Sequence, residues 1–421
     1  MPHHSGLVLT RAASMRATDA LATSITRYAI PLLVLITTRS ASLTGVAFLL
    51  EWLPCLAAFT LGGPLVDRFR ADRVLKAAAI ARSVLLLAAA VLLLALPPAG
   101  TAATVVVMAL GAGAGLLSHT SFVAVETLGA DLSRQAGDQA HRVQAVQIGI
   151  DQSALLAGPL VVGILLMTGQ AWPVLTVAAA LSLAAAVTAV RTVNPARPAA
   201  TVDAGVIDQL RTGWCTVRGI PALCWLLVGL IASNLAVAVA QASAPITLVQ
   251  HFGTSTLTVG TIWSAAGVVA LAAVAASRRA IDRHGLWPVG AAAAATACVA
   301  CFAAALAGHL ALYAVAIAIL MAGEGALTVV LRTLRARLIP PHAFGATLSV
   351  TIVLIILPMP AAGALVALLP SAALPALLLV CAAVQALAMA LAFRGLWHHR
   401  HTYTAPVAPH ASAAPTIAPA A

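Results

Sequence analysis

The sequence predicts an all-α membrane protein, with twelve transmembrane helices in two pseudo-symmetric halves of six. Three observations support this prediction. The chain of 421 residues is 62% hydrophobic and only 8% charged, whereas soluble domains are roughly half apolar and about a quarter charged. Its apolar runs are long enough to cross a hydrocarbon layer about 30 Å thick. Its Lys and Arg residues gather in alternate connections between these runs.

The N-terminal half, residues 17–190, follows a short polar arm formed by residues 1–16. Its six spans are predicted at residues 17–36, 43–66, 74–96, 102–125, 143–167 and 172–190. Pro97 and Pro98 stop the third span because proline cannot continue a helix. A polar loop over residues 131–142 separates the fourth span from the fifth.

A polar connection, residues 191–220, separates the two halves, and a surface helix is expected over its residues 208–218. The C-terminal half, residues 221–394, repeats the layout. Its spans are predicted at residues 221–249, 257–276, 286–307, 310–331, 343–368 and 372–393. The Ala- and Pro-rich tail, residues 395–421, is expected to be disordered.

The distribution of positive charge predicts the orientation of the chain. Of the 23 Lys and Arg residues, all but Arg27 and Arg39 fall on one side of the twelve spans. Arg82 is assigned here to the connection that follows the second span. Because cytoplasmic loops carry the excess of Lys and Arg, both termini are predicted to be cytoplasmic. The net charge of +11 is therefore interpreted as a topology signal and not as affinity for nucleic acid.

The two halves resemble each other at two places. Residues 126–132 read ETLGADL at the end of the fourth span, and residues 332–338 read RTLRARL at the end of the tenth. The pair Asp67–Arg68 after the second span corresponds to Asp282–Arg283 after the eighth. Two related six-helix halves are a known plan of transporters, with the substrate site between them near the middle of the membrane.

The connection after the second span carries a motif, Gly63-x-Leu65-x-Asp67-Arg68-x-x-x-x-Arg73. With the twelve-span plan, it resembles the signature loop of the major facilitator superfamily, although Arg70 stands where that motif has a second Gly. The resemblance implies the fold of that family. It also implies that this loop, with its degenerate copy at Asp282 and Arg283, latches the halves in one conformational state. The alternative interpretation is a plain topology anchor.

A second motif lies in the fifth span and reads Ala154-x-x-x-Gly158-Pro159-x-x-x-Gly163. It resembles the motif of the antiporter branch of the same family, with Ala154 in place of the first Gly. Together with Asp19 and the prolines of the first two spans, it is most similar to the exporter group that contains macrolide and siderophore efflux proteins. Ordinary packing of small residues between helices is the alternative interpretation.

Polar side chains inside the predicted spans are candidates for substrate and proton binding, because an ionised group at the bilayer centre costs about 2.5–3.5 kcal/mol on insertion scales. A carboxyl group flanked by two glycines in the tenth span is a candidate proton carrier. For each candidate the alternative is a structural role, as an interfacial acid, an ion pair or a helix-to-helix hydrogen bond. The candidates are Asp19, Arg27, Glu51, Gln144, Gln147, Asp151, Asn234, Gln241 and Glu324.

The sequence predicts a monomeric, proton-coupled exporter of a small, partly hydrophobic organic compound in a bacterial-type inner membrane, with no metal and no cofactor. The compound would be a drug, an antibiotic or a siderophore-like molecule. An uptake permease for a sugar or an organic acid is one alternative, and a non-transporting membrane sensor or scaffold is another. An enzyme is not expected, because the histidines are scattered singly. The substrate, the direction of transport, the coupling ion and the acid that carries it stay open.

Overall fold

The computed structural model of the chain describes residues 2–97, 100–135, 140–189, 206–340 and 344–400. These residues are almost entirely helical. The N-terminal half contains α1 (Pro2–Thr38), α2 (Ala41–Phe69), α3 (Ala71–Ala95), α4 (Thr101–Gln135), α5 (Ala140–Leu166) and α6 (Trp172–Thr188). A separate helix, α7 (Val206–Gly219), follows. The C-terminal half contains α8 (Pro221–Ile246), α9 (Thr256–His284), α10 (Leu286–Ala305), α11 (Leu310–Leu338), α12 (Phe344–Ile356), α13 (Pro358–Leu368) and α14 (Leu374–His398).

Eleven segments of the described chain are long and apolar enough to cross a membrane. One of them, Ala346–Leu368, is built from α12 and α13, which meet at Leu357 just before a proline. The sixth predicted span corresponds to α6, an apolar helix of only 17 residues. The prediction of an all-helical, multi-pass membrane protein is therefore confirmed, whereas the number of twelve spans and the cytoplasmic termini stay predictions.

Each half packs around its own apolar core. In the N-terminal half Ile25, Leu86 and Leu175 are fully buried. In the C-terminal half one cluster surrounds Trp263 and another surrounds Leu227. The amphipathic α7, which overlaps the predicted surface helix, packs against α8 and α12. Burial of these apolar faces within each half stabilises it as a bundle.

The bundle has two distinct ends. One end, called the basic end below, holds exposed arginines on both halves, among them Arg68, Arg73, Arg278 and Arg283. The opposite end holds the α1–α2, α5–α6, α8–α9 and α10–α11 connections. The two halves meet chiefly where α2 packs on α13 and α5 packs on α9.

The α2–α3 connection at the basic end is a single residue, Arg70, with φ 70°. Its backbone N–H donates to the Val66 carbonyl at 2.9 Å, and its side chain binds Asp72 at 3.1 Å. A positive φ is unfavourable for any residue with a Cβ. The family motif has Gly where Arg70 stands, which is the residue type that this turn favours.

Candidate functional site

A cavity of about 360 Å³ lies between the two halves, and we call it the central cavity. Residues of α1, α4 and α5 form most of its wall, and Arg332 of α11 closes the side toward the other half. Phe122, Val125 and Leu155 give the wall an apolar part. The charged side chains of the wall are Arg16, Asp19, Arg27, Glu126, Asp151 and Arg332.

The first charged cluster of the cavity is built around Arg16 of α1. Its Nε donates to Asp151 Oδ1 at 2.9 Å and its Nη1 to Gln147 Oε1 at 3.3 Å, while Nη2 also binds Glu126. Gln147 and Asp151, four residues apart, therefore lie on one face of α5. The sequence pattern places Arg16 in the polar arm before the first span and not in the site. Its spacing of three residues from Asp19, which puts both on one face of α1, is the signal that could have identified it as a residue of the cavity wall.

The second cluster joins Asp19 to Arg82, and it corrects the assignment of Arg82 to a connection. Arg82 is 0% exposed within α3, and its Nη2 donates to Asp19 Oδ1 at 2.7 Å. Ser121 donates to the same oxygen at 2.6 Å. The remaining guanidinium N–H groups bind hydroxyl oxygens of Ser182, Thr23 and Ser118. A buried charge pair needs this full set of partners, because desolvation of the two ions is expensive.

The third cluster joins Arg27 of α1 to Glu51 of α2, with 3.8 Å between Nε and Oε1. The guanidinium also lies over the Trp52 ring, 4.9 Å from its centroid, and Trp52 in turn packs on His119. Glu51 is buried, and its Oε2 has no hydrogen-bond partner among the described residues. An ionised carboxylate oxygen left without a partner in the interior is costly, and a proton on the carboxyl group removes that cost.

Arg27 occupies a special position because it lines two cavities. Besides the central cavity, it borders a smaller one of about 40 Å³, with Tyr28, Gln241 and Trp263. The Tyr28 and Trp263 rings, from opposite halves, lie 6.0 Å apart. The Arg27–Glu51 pair therefore lies at the closed end of the central cavity, where the two halves come together.

Glu324 lies elsewhere, inside the C-terminal half between α8, α11 and α14. Ser233 and Gln385 both donate to its Oε1, the latter at 3.1 Å, and Gln385 also donates to Ser233 at 2.8 Å. Asn234 donates to the Leu230 carbonyl of its own helix at 3.0 Å. Neither Glu324 nor Asn234 lines the central cavity. The side chain of Gln144 lies outside the described residues.

The motif in the fifth span lies where α5 contacts other helices. Ala154 lines the central cavity. A Cβ on Gly158 would lie 2.1 Å from Ser24 Oγ of α1, and one on Gly163 would lie 2.9 Å from the Thr256 carbonyl oxygen. A Cβ on Gly260 of α9 would lie 2.3 Å from the Pro159 carbonyl oxygen. The small residues therefore let α5 approach both α1 and α9 closely.

The residues of the expected latch lie at the basic end. Arg68, Arg73, Asp282 and Arg283 are exposed, and none of them forms an ion pair with another described residue. The Arg68 guanidinium lies 5.2 Å from the Phe69 ring centroid. The surroundings of Gly63 and the side chain of Asp67 lie outside the described part of the chain. The latch role stays a prediction.

Comparison with known proteins places this architecture in a well-populated fold. A family model described as Major Facilitator Superfamily matches residues 12–355. A search of curated proteins found no match.

Solved transporter structures are similar over most of the chain. A bacterial homologue of the iron transporter ferroportin, in an inward-facing state, has a TM-score of 0.69 at 16% identity and covers 92% of this chain and 98% of its own. The nucleoside transporter NupG has a TM-score of 0.70 at 13% identity, with coverage of 93% and 99%. A D-xylose-proton symporter has a TM-score of 0.69 at 14% identity, with coverage of 93% and 97%.

Proposed function

The chain belongs to the major facilitator superfamily and is a membrane transporter, and from this premise we propose that it is a proton-coupled exporter of a small, partly hydrophobic organic compound. The observation that carries the proposal is the central cavity, which lies between the two halves and is bounded by packed helices at the opposite end. A cavity between two related halves is where transporters of this plan bind their substrates.

The closure at the opposite end is built from specific contacts between the halves. Ser42 of α2 donates to the Ala367 carbonyl at 2.6 Å, and Ser264 of α9 donates to the Leu156 carbonyl at 2.6 Å. The arginine-rich basic end is the proposed cytoplasmic end, following the positive-inside rule. On this assignment the structure corresponds to an inward-facing state, which loads substrate from the cytoplasm.

The wall of the central cavity supports a substrate of mixed character. Phe122, Val125 and Leu155 offer apolar contacts, while the exposed Arg332 offers charge-assisted donors. A volume of about 360 Å³ is at the lower end of the range of small-molecule sites, roughly 300–1,000 Å³. Drugs, antibiotics and siderophore-like molecules that combine an apolar body with a polar group fit this description.

The Arg27–Glu51 pair is the proposed coupling element. When Glu51 is ionised it holds Arg27, and when Glu51 takes up a proton the attraction across the 3.8 Å gap disappears. Proton uptake by Glu51 therefore changes the charge that Arg27 presents to a substrate in the central cavity. Protonation and substrate binding would in this way be linked through one pair of residues. Glu324 makes hydrogen bonds within its own half and is the second candidate.

The fifth span supports export as the proposed direction of transport. Its motif resembles that of the antiporter branch, and Pro159 and Gly163 pack against α9 at the proposed outer closure. The fold itself does not decide the substrate or the direction, because the similar solved structures include a metal transporter homologue, a nucleoside transporter and a sugar symporter.

The test is proton flux in liposomes that contain the purified protein and an internal pH dye. Lipophilic drugs and siderophores are added one by one under an imposed pH gradient, and substrate movement is followed in parallel. We expect at least one compound to move opposite to protons, with no response in protein-free liposomes. Movement in the same direction as protons would establish uptake instead. No response with folded protein would contradict proton-coupled transport of these compounds.

A further inference from the structure

A second cavity, of about 560 Å³, lies inside the C-terminal half at the opposite end of the bundle. We call it the C-half cavity. Its wall comes from the end of α8, the α10–α11 connection and the start of α14. It shares no lining residue with the central cavity. Its volume falls well within the range of about 300–1,000 Å³ that is typical of small-molecule sites.

One wall of the C-half cavity is a π-helical turn, Thr247–His251, which continues α8 just after Pro245. Single π-helical turns are rare and occur frequently at functional sites. Here the turn brings Thr247, Gln250 and His251 to the cavity wall. A regular continuation of α8 would distribute these side chains differently around the helix.

The floor of the cavity is buried and the rim is exposed. Ser243, Ile246 and Tyr313 of the floor are each at most 3% exposed, whereas His251 and Ser371 of the rim are exposed. The cavity is therefore a pocket that opens at the end of the bundle, and a molecule can reach its floor from there.

The Tyr313 hydroxyl is the unexplained polar group of this pocket. It is buried beside Thr247 but makes no well-aligned hydrogen bond, and its ring packs 5.8 Å from the Phe252 ring. A buried polar group without a hydrogen bond is unfavourable, because it has lost its contacts with water. A hydrogen-bond acceptor placed in the cavity would remove that cost.

The remaining side chains define the chemistry of the occupant. Among the described residues that line the cavity there is no Asp, Glu, Lys or Arg. Gln250 already donates from Nε2 to the Arg39 carbonyl at 2.8 Å. The available polar groups are therefore the hydroxyls of Tyr313, Thr247 and Ser371, the imidazole of His251 and the amide oxygen of Gln250. Ala304, Leu374 and Leu378 supply the apolar surface.

We propose that the C-half cavity is a second binding site, separate from the central cavity, for a small uncharged organic molecule that carries a hydrogen-bond acceptor on an apolar body. The acceptor binds the Tyr313 hydroxyl at the floor, and the apolar body fills the space between α8, α10 and α14. This site does not depend on what the central cavity transports.

The test uses benzophenone, an uncharged molecule with one carbonyl acceptor between two apolar rings, which cross-links to nearby C–H bonds under ultraviolet light. The full chain in lipid nanodiscs is irradiated over a range of benzophenone concentrations, and labelled peptides are identified by mass spectrometry. We expect saturable labelling of residues 304–307 and 371–378. Labelling that grows without saturation, or that falls only on lipid-facing residues, would overturn the proposal.

Three variants test whether the saturable labelling comes from the C-half cavity. Ala305→Trp fills the cavity and should abolish the saturable labelling, whereas Ala383→Trp, on the exposed face of α14, should leave it unchanged. Tyr313→Phe keeps the shape of the floor, so it tests the site even where the tryptophan variant does not fold. Loss of one hydrogen bond should raise the half-saturating concentration about fivefold. Equal labelling in the wild type and the three variants would show that benzophenone does not bind in the C-half cavity.

The charge of the occupant is tested with 4-benzoylbenzoate, the carboxylate analogue of the same probe. Because the cavity offers no cationic side chain among its described residues, this anion should compete at least tenfold less well than benzophenone. Equal competition by the anion would show that the site does not select uncharged molecules.

Discussion

At the scale of single residues, the Asp19–Arg82 pair shows how a membrane bundle accommodates charge. Arg82 is fully buried, and each of its guanidinium nitrogens binds an oxygen of Asp19, Thr23, Ser118 or Ser182. Asp19 also accepts from Ser121. The pair connects α1 and α3, and its hydroxyl partners include residues of α4 and α6. It therefore ties four helices of the N-terminal half together at one point.

Replacing Arg82 by Met should destabilise the protein strongly, because Asp19 is left buried without its counter-ion. Breaking a buried pair in this way costs about 3–5 kcal/mol. The measurement is thermal unfolding of the purified variants in one detergent. Arg279→Met, an exposed arginine of α9, is the matched control and should unfold at the wild-type temperature. Equal unfolding temperatures for the two variants would show that the buried pair does not hold the half together.

Replacing Glu51 by Gln should separate transport from proton movement. The neutral amide takes up no proton, so substrate binding is no longer linked to protonation at this position. We expect exchange of substrate across the liposome membrane to persist, while proton flux per substrate falls at least tenfold. Asp208→Asn on the exposed face of α7 is the control and should behave like the wild type. Unchanged coupling in Glu51→Gln, with loss in Glu324→Gln, would move the proton site to the C-terminal half.

The sequence identifies polar residues inside the spans better than it identifies their partners. Of the candidates, Asp19, Arg27, Gln147 and Asp151 line the central cavity, and the lining does not include Glu51, Asn234, Gln241 or Glu324. Arg82 was misassigned because a lone cation near the start of an apolar run looks like a span boundary. Its partner is 63 positions away, and a single sequence does not reveal a pairing at such a separation.

At the scale of helices, the contact between the halves depends on glycine. On α2 and α13, a Cβ at Gly45 would lie 2.4 Å from the Ala367 nitrogen, and one at Gly363 would lie 2.5 Å from the Leu49 nitrogen. On α5 and α9, Gly260 has the same role against Pro159. Small residues allow helix backbones to approach this closely in a membrane. Both contacts lie toward the opposite end, where the central cavity is closed.

Replacing Gly260 by Val should weaken this closure without unfolding either half. The added methyl groups collide with the Pro159 carbonyl, and overpacking of this kind costs about 1–3 kcal/mol. Such a cost shifts the balance between closed and open states roughly 5- to 150-fold. Spin labels at Gln170 and Gly308, exposed positions of the two halves at this end, report the change as a longer distance.

The matched control for that substitution is Gly149→Val on α5, where a Cβ would meet nothing within 4 Å. It should leave the Gln170–Gly308 distance unchanged. A wild-type distance in Gly260→Val, with the protein folded, would show that the α5–α9 contact does not control access to the central cavity.

Three features of the helices differ from the spans predicted from the sequence. Pro358 breaks the eleventh predicted span into α12 and α13, which the apolar pattern alone could not show because both pieces are strongly hydrophobic. The π-helical turn at Thr247–His251 was likewise not predicted, since no local residue pattern specifies it. α1 begins at Pro2, well before the predicted first span, and it includes Arg16, which pairs with residues of α4 and α5.

At the scale of the whole molecule, the fold was predictable because it depends on properties that are averaged over long segments. Apolar length and the spacing of charge identify a multi-pass helical bundle, and the repeated layout identifies two halves. The conformation was not predictable. Which end of the central cavity is closed depends on glycine contacts between α2 and α13 and between α5 and α9, and each of these pairs lies far apart in the chain.

Transport by alternating access requires the central cavity to change its accessible end during each cycle. The most direct measurement uses two pairs of spin labels in a Cys215→Ser background, since Cys215 is the exposed free cysteine among the described residues. One pair, at Ala77 and His284, spans the basic end, and the other, at Gln170 and Gly308, spans the opposite end. Distances are measured in liposomes at rest and with a transported compound under a pH gradient.

We expect the spin-label distances to change in opposite directions at the two ends of the bundle. At rest the Gln170–Gly308 distance should correspond to the closed arrangement described here. With compound and gradient, a second population should appear in which this distance is longer and the Ala77–His284 distance is shorter. Distances that stay unchanged at both ends, or that lengthen at both ends together, would contradict alternating access through the central cavity.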